Sequence, residues 1–369
     1  MLELKKLYNV EFKYLLIESD DSFYNFLLSI TKDDVIAIDT EFTRRNTYYP
    51  KLSTIQIAVQ NLTSSHKIIT LIDVNKISNI KNLLAILNQH QCLKIIHCAL
   101  QDLQIFAHLS KTTPNNFIDT QLMAGFCGLE HNIGYWKLVK EAFNIEICKK
   151  MQVSDWQKRP LTAEQIDYAL VDVLFLHEIY AKLKNIVNIS NNYEWVTEEM
   201  VYFIKKILHP NLNSLFKKIP HKGKSKIQIA QIEKLLELRE FFAQKYDKVR
   251  EHILKYNDIE KLTMSFDEDH LVKLQLPDDF AQNIKKILAN KQIEIKNESD
   301  LLGDEFYDLS LDKIKSLIAK TALKYNINQQ LLMNNTQIKN ILKKQKVAGE
   351  INDWRYKVLG LEIEKILNL

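Results

Sequence analysis

Apolar and polar positions change rhythm about halfway along the chain. Through the first 200 residues, short apolar runs alternate with helical spacing. Val35-Ile36-Ala37-Ile38, Ser53–Val59, Lys67–Ile72 and Leu93–His97 are rich in β-branched residues and bounded by polar ones, which predicts strands. Ile80–Gln89 and Gln101–Leu109 repeat apolar residues at helical spacing, which predicts helices between them. Strands alternating with helices imply a sheet covered by helices, the α/β class. After about Gln165 the strand signals fade. Ile166–Val187 reads as one long helix, and from Glu194 to Leu369 helical spacing continues between short polar breaks at His209-Pro210, Pro220–Gly223 and Pro277. Glu233–Phe242 and Ile314–Tyr325 carry that spacing most clearly. The pattern predicts a main domain boundary near His209 and a weaker one near Asn297–Gly303.

A chain of 369 residues suits two or three domains. No run approaches the roughly 20 apolar residues of a membrane span. The first residues, MLELKKLYNVEFKYLLIESD, mix charge throughout and lack a leader's apolar core, so a cytoplasmic address without membrane attachment is expected. Cys92, Cys98, Cys127 and Cys148 form no C-x-x-C pair and no zinc-spaced cluster, which leaves oxygen ligands for any metal. Charge is unevenly placed. Residues 1–200 hold 20 basic and 23 acidic side chains, whereas residues 201–250 alone hold 12 basic and 4 acidic. An acidic half followed by a basic collar suits a metal site beside a polyanion track, and equally a solvated lysine-rich surface.

Three acidic motifs stand out. Asp39-Thr40-Glu41 ends the strand Val35–Ile38, and residues two apart on a strand share a face. Two carboxylates held so close repel each other, and a hard divalent cation relieves that repulsion. His97-Cys98-Ala99-Leu100-Gln101-Asp102 follows another apolar strand and places Asp102 in the first turn of a helix. Tyr168 and Asp172 are four apart on a helix and therefore share its face. Taken singly, each also fits a plainer role: a surface loop, an N-terminal helix carboxylate, a half-buried tyrosine.

Together and in this order, the motifs resemble the DEDD exonuclease superfamily in its tyrosine-bearing branch. The histidine-bearing branch has His five before the last Asp, where this chain has Asp167. The likeness to the ribonuclease D family extends to Ile38–Phe42 with Tyr48-Tyr49-Pro50, to Ile118-Asp119-Thr120-Gln121 with Ala124–Gly128, and to Asp155-Trp156 with Arg159-Pro160-Leu161-Thr162. Residues 227–291 resemble the helicase-and-RNase-D C-terminal (HRDC) module, although Asn257 stands where a proline is common.

The resemblance implies a ribonuclease H-like mixed sheet flanked by helices over residues 1–208. All-α HRDC-type domains would follow over 209–296 and 297–369. It implies a 3′-5′ exoribonuclease that releases nucleoside 5′-monophosphates. Asp39, Glu41, Asp102 and Asp172 would hold two divalent cations, Mg²⁺ or Mn²⁺, and Tyr168 would orient the attacking water. The implied substrate is RNA with a free 3′-OH, transfer-RNA precursors above all, handled by a monomer. Arg44, Tyr48, Tyr49, His97, Lys222 and Lys224 are the expected substrate contacts. No phosphate-binding Gly-x-x-x-x-Gly-Lys-Ser/Thr loop supports ATP use.

Overall fold

The computed structural model describes residues 3–61, 67–89, 92–148, 150–208, 212–290, 304–351 and 353–369. Both predicted boundaries, at His209 and at Asn297–Gly303, lie outside the described residues. Chain contacts divide the molecule into two compact units. One comprises Met1–Thr43, Leu52–Leu208 and Ser299–Leu369, and the other Arg44–Lys51 and His209–Glu298.

The first unit is built on a seven-stranded mixed sheet. Its strands are β1 (Glu3–Leu7), β2 (Val10–Ile17), β3 (Asp34–Thr43), β4 (Lys51–Asn61), β5 (Lys67–Asp73), β6 (Leu93–Ile96) and β7 (Phe117–Asp119), in the spatial order β1-β2-β5-β4-β3-β6-β7. β3, β6 and β7 run parallel, with Ala37 opposite Ile95 and Ile96 opposite Asp119. β5 pairs parallel with β2 and antiparallel with β4. The predicted strands all form. Sequence reasoning missed the β1–β2 hairpin, whose charged alternation belongs to an edge, and the three-residue β7.

Helices α1 (Asp20–Ser29), α2 (Lys81–Gln89), α3 (Leu100–Ser110), α4 (Thr120–Gly125), α5 (Tyr135–Phe143), α6 (Ala163–Leu174), α7 (Leu176–Ile189) and α8 (Tyr193–Leu208) belong with the sheet. Its central strands are buried on both faces: Ile36, Ile38, Ile55, Ile57, Ile69 and Ile95 are all fully enclosed. The single long helix expected over Ile166–Val187 is instead two, α6 and α7, broken at Phe175. The cause is a side chain inserted into the helical ladder. The Tyr135 hydroxyl donates to the Val171 carbonyl at 2.8 Å and accepts the Phe175 N–H at 3.2 Å, taking both partners of what would be one i→i−4 bond.

The second unit is all-helical: α9 (Asn213–Phe216), α10 (Lys226–Lys245), α11 (Arg250–Ile253), α12 (Tyr256–Met264), α13 (Glu268–Lys273) and α14 (Asp278–Ala289). α10 starts at a capping box, Ser225 with Gln228. Ile232, Leu235, Leu236 and Phe242 on α10 meet Ile259, Leu262, Phe280 and Ile284 in a core of their own.

The last helices are α15 (Asp304–Tyr325), α16 (Gln329–Leu332), α17 (Asn335–Lys344), α18 (Asp353–Arg355) and α19 (Leu361–Leu367). Expected as a separate module, they are grouped with the sheet, whose core continues into Ile314, Leu332, Ile341 and Trp354. Trp354 stacks on Trp195 at 5.6 Å and donates its indole N–H to Glu199 at 2.8 Å, while the Arg355 guanidinium pairs with the same buried carboxylate. The Asn328 N–H reaches the Gly125 carbonyl at 2.8 Å. Among the described residues, no helix is long and apolar enough to cross a membrane.

Candidate active site

β3 runs further than predicted, to Thr43, so Asp39 and Glu41 stand within the strand, on one face by its alternation. Asp172 comes from the last turn of α6, between Val171 and Phe175, the two residues that Tyr135 bonds. Asp39, Glu41 and Asp172 each offer an oxygen within 4.8 Å of the others. Two separate parts of the sequence, β3 and α6, therefore meet at one place. Asp102 is the third residue of α3 and is 5% exposed. It stands outside that 4.8 Å group. The buried Thr40 hydroxyl donates to its Oδ1, while its charge still acts on Asp39, Glu41 and Asp172.

All four carboxyls titrate high, first because they are buried. Mutual repulsion adds to this for Asp39, Glu41 and Asp172. Asp39 lies well above its ordinary value, Glu41 is pushed up to about 9, and Asp172 to about 8. Asp102 rises to about 7, with the Thr40 hydrogen bond opposing the rise. The Tyr168 hydroxyl donates to Asp172, and burial beside three carboxylates raises its own pKa. A cluster of oxygen ligands with uncompensated negative charge fits a hard divalent cation.

The four carboxylates, Tyr168 and His97 line a single cleft of about 440 Å³, together with Gln121, Tyr135, Trp136, Cys148 and Gln152. His97 bonds through Nδ1 to the Thr120 hydroxyl at 2.9 Å, and burial pushes it down to about 4, so it is neutral at neutral pH.

Two supports carry no role in the sequence reading. The Asp119 carboxylate accepts the backbone N–H groups of Cys98 at 3.0 Å, Ala99 at 2.9 Å and Gln121 at 2.8 Å. It thereby pins the turn that leads to Asp102, where Cys98 sits in the left-handed region at φ 58°. The available signal was an Asp directly after an apolar run and at a helix N-cap. Arg159 donates to both oxygens of Asp73 at 2.6 Å, tying the segment before α6 to the end of β5.

The other expected contacts lie in the second unit. The Tyr48 hydroxyl donates to Glu240, which is also held by Arg250 at 2.5 and 2.6 Å, and Arg44 and Arg250 sit 5.9 and 4.9 Å from its ring centre. Tyr49 meets Tyr48 edge-on at 4.8 Å. Lys224 turns inward: its ammonium bonds Glu260 and the Pro220 carbonyl, both at 2.6 Å. Its charge is thus used between helices. Lys222 is exposed.

A family model described as a 3′-5′ exonuclease matches residues 14–188. Ribonuclease D of Bartonella henselae aligns over 358 residues at 26% identity, spanning 92% of this chain and 87% of the relative. Ribonuclease D of Escherichia coli is 36% identical over 170 residues, 46% of this chain and 44% of the relative. Over nearly its whole length the chain is thus similar to ribonuclease D, and most strongly so through the exonuclease half. In fold it is similar to the crystal structure of Escherichia coli RNase D, with a TM-score of 0.79 at 24% identity over 96% of this chain and 98% of that one. It is a 3′-5′ exoribonuclease, a phosphodiester hydrolase that uses a divalent metal.

Proposed function

We propose that Asp39, Glu41 and Asp172, joined by Asp102, hold two divalent cations, Mg²⁺ or Mn²⁺, against the last phosphodiester of an RNA 3′ end. The observation that carries this is the meeting of three carboxylate oxygens within 4.8 Å in a cleft where burial and repulsion leave their charge uncompensated. Bound there, the cations supply Lewis-acid activation of water and neutralise charge on the phosphate and the departing oxygen. The Tyr168 hydroxyl, now donating to Asp172, holds the attacking water in line. Thr40 keeps one oxygen of Asp102 fixed, so that carboxylate approaches the site in one orientation. His97, neutral and bonded to Thr120, forms a polar wall without adding charge. Products are nucleoside 5′-monophosphates, released one at a time from a free 3′-OH.

The fuller reading is a monomeric cytoplasmic enzyme that trims transfer-RNA precursors, supported by relatives bearing the ribonuclease D name. In the second unit, Arg44, Arg45 and Lys218 line a pocket of about 310 Å³ with Tyr256, and with Lys222 they guide the RNA backbone. Tyr48 and Tyr49 serve there by holding Arg44 and Arg250 in place. The test is incubation of the full chain with end-labelled precursor transfer RNA in Mg²⁺, in Mn²⁺ and in chelator. Stepwise shortening from the 3′ end, abolished by chelator, is the expected result. Metal-independent cleavage, or internal cuts, would refute the assignment.

A further inference from the structure

Trp136 is the one tryptophan of this chain with an exposed ring. It is 43% exposed, against 1% for Trp156 and 0% for Trp354, and Trp195 lies stacked on Trp354. The exposed ring lines the cleft that contains the four carboxylates. An indole is large and apolar, and leaving it in water beside acidic groups forgoes the stabilisation that burial would bring.

Its position is also held fixed. Trp136 is the second residue of α5, directly after Tyr135, whose hydroxyl is locked between Val171 and Phe175. Gly134, just before, leaves room for the ring: a methyl group there would come within 3.0 Å of the indole nitrogen. A flat ring already held in place loses little freedom when a ligand covers it.

The cleft's substrate is an RNA 3′ end, which offers two kinds of surface: phosphates and planar bases. The carboxylates repel the phosphates unless cations intervene. A base presents a neutral aromatic face, and stacking on an aromatic side chain tolerates any base because each has such a face. Resting on the exoribonuclease reading, we propose that Trp136 stacks on a nucleobase in the 3′-terminal segment of the RNA and so retains that end beside the carboxylates.

The ring itself reports the contact, because Trp156 and Trp354 are buried and the half-buried Trp195 is stacked on Trp354. Adding a ten-nucleotide oligoadenylate with hydrolysis-resistant phosphorothioate linkages to the full chain in Mg²⁺ should quench tryptophan fluorescence. The quench should vanish in Trp136→Phe, and with a strand of equal length whose last three residues lack bases. In Mg²⁺, Trp136→Ala should raise KM for the unmodified oligoadenylate about tenfold, the scale of one lost stack, with the effect on KM rather than kcat. Trp136→Phe should recover most of it. A quench that persists in Trp136→Phe, equal quenching by the abasic strand, or a wild-type KM in a Trp136→Ala enzyme that still degrades RNA would each overturn the proposal alone. Wild-type protein inert toward RNA would overturn the exoribonuclease reading, and this proposal with it.

Discussion

Glu41 and Glu240 are both glutamates largely removed from water, yet their titration moves in opposite directions. In the cleft, Glu41 is driven up to about 9, first by burial and then by Asp172 and Asp102. In the helical unit, burial would also raise Glu240, but hydrogen bonds from Arg250 and Tyr48 more than offset it, and its carboxyl lies below the ordinary value. The difference separates a functional from a structural buried charge. Glu240 has its cation, Arg250, built into the fold, as Glu260 has Lys224. Among the described residues, the cleft is lined by acids without a lysine or arginine, so the compensating charge arrives from outside.

The sharpest way to break this contrast is to remove a cleft carboxylate. Asp172→Asn should lower turnover by about a thousandfold, the scale of several kcal/mol of lost metal-assisted stabilisation, while RNA binding survives. Turnover within tenfold of wild type would dissolve the distinction. Asp119→Asn sits one step away. It should weaken Mn²⁺ affinity by about 10- to 100-fold, as loss of a group orienting a ligand does, and speed hydrogen exchange at the Cys98 and Ala99 amides in the metal-free protein. Unchanged exchange at those amides would show that Asp119 does not hold the turn.

The pH dependence of stability sharpens the same point. Asp102, Glu41 and Asp172, at about 7, 9 and 8, bind protons in the folded state that the unfolded chain has released above about pH 4. The metal-free protein should therefore lose stability as pH rises from about 4 to about 9, and Mg²⁺ should raise its melting temperature most at the alkaline end. A metal-free melting temperature that climbs across that range would contradict the uncompensated cluster.

In the helical unit, Arg250→Ala should cost about 1–3 kcal/mol, because it leaves Glu240 buried without its cation while Arg250 itself is partly exposed. Calorimetry should register that loss while Mn²⁺ affinity of the cleft stays at the wild-type value. The smallest effect is expected for Tyr168→Phe. Losing one water-orienting hydrogen bond should slow single-turnover hydrolysis by about tenfold and leave metal binding intact.

Local spacing made much of this legible in advance. β-branched apolar runs located β3 to β6, and helical repeats located the all-helical second half. The offsets Asp39/Glu41 and Tyr168/Asp172 specified shared faces, because a strand or helix fixes where residues two or four apart point. Those signals live within a few residues of each other. What escaped reading depends on partners far along the chain. Asp119 matters through amides at Cys98 and Ala99, and the helix break at Phe175 is made by Tyr135, some 40 residues earlier. Lys224 looked like one of a row of surface lysines until Glu260 claimed it. The grouping of the last helices with the sheet rests on contacts such as Arg355 with Glu199, 156 residues apart. Sequence alone set which side chains share a face. Which faces meet, and which charges then find or lack a partner, was decided by tertiary packing, since Coulomb and desolvation energies depend on distances in space that spacing along the chain does not carry.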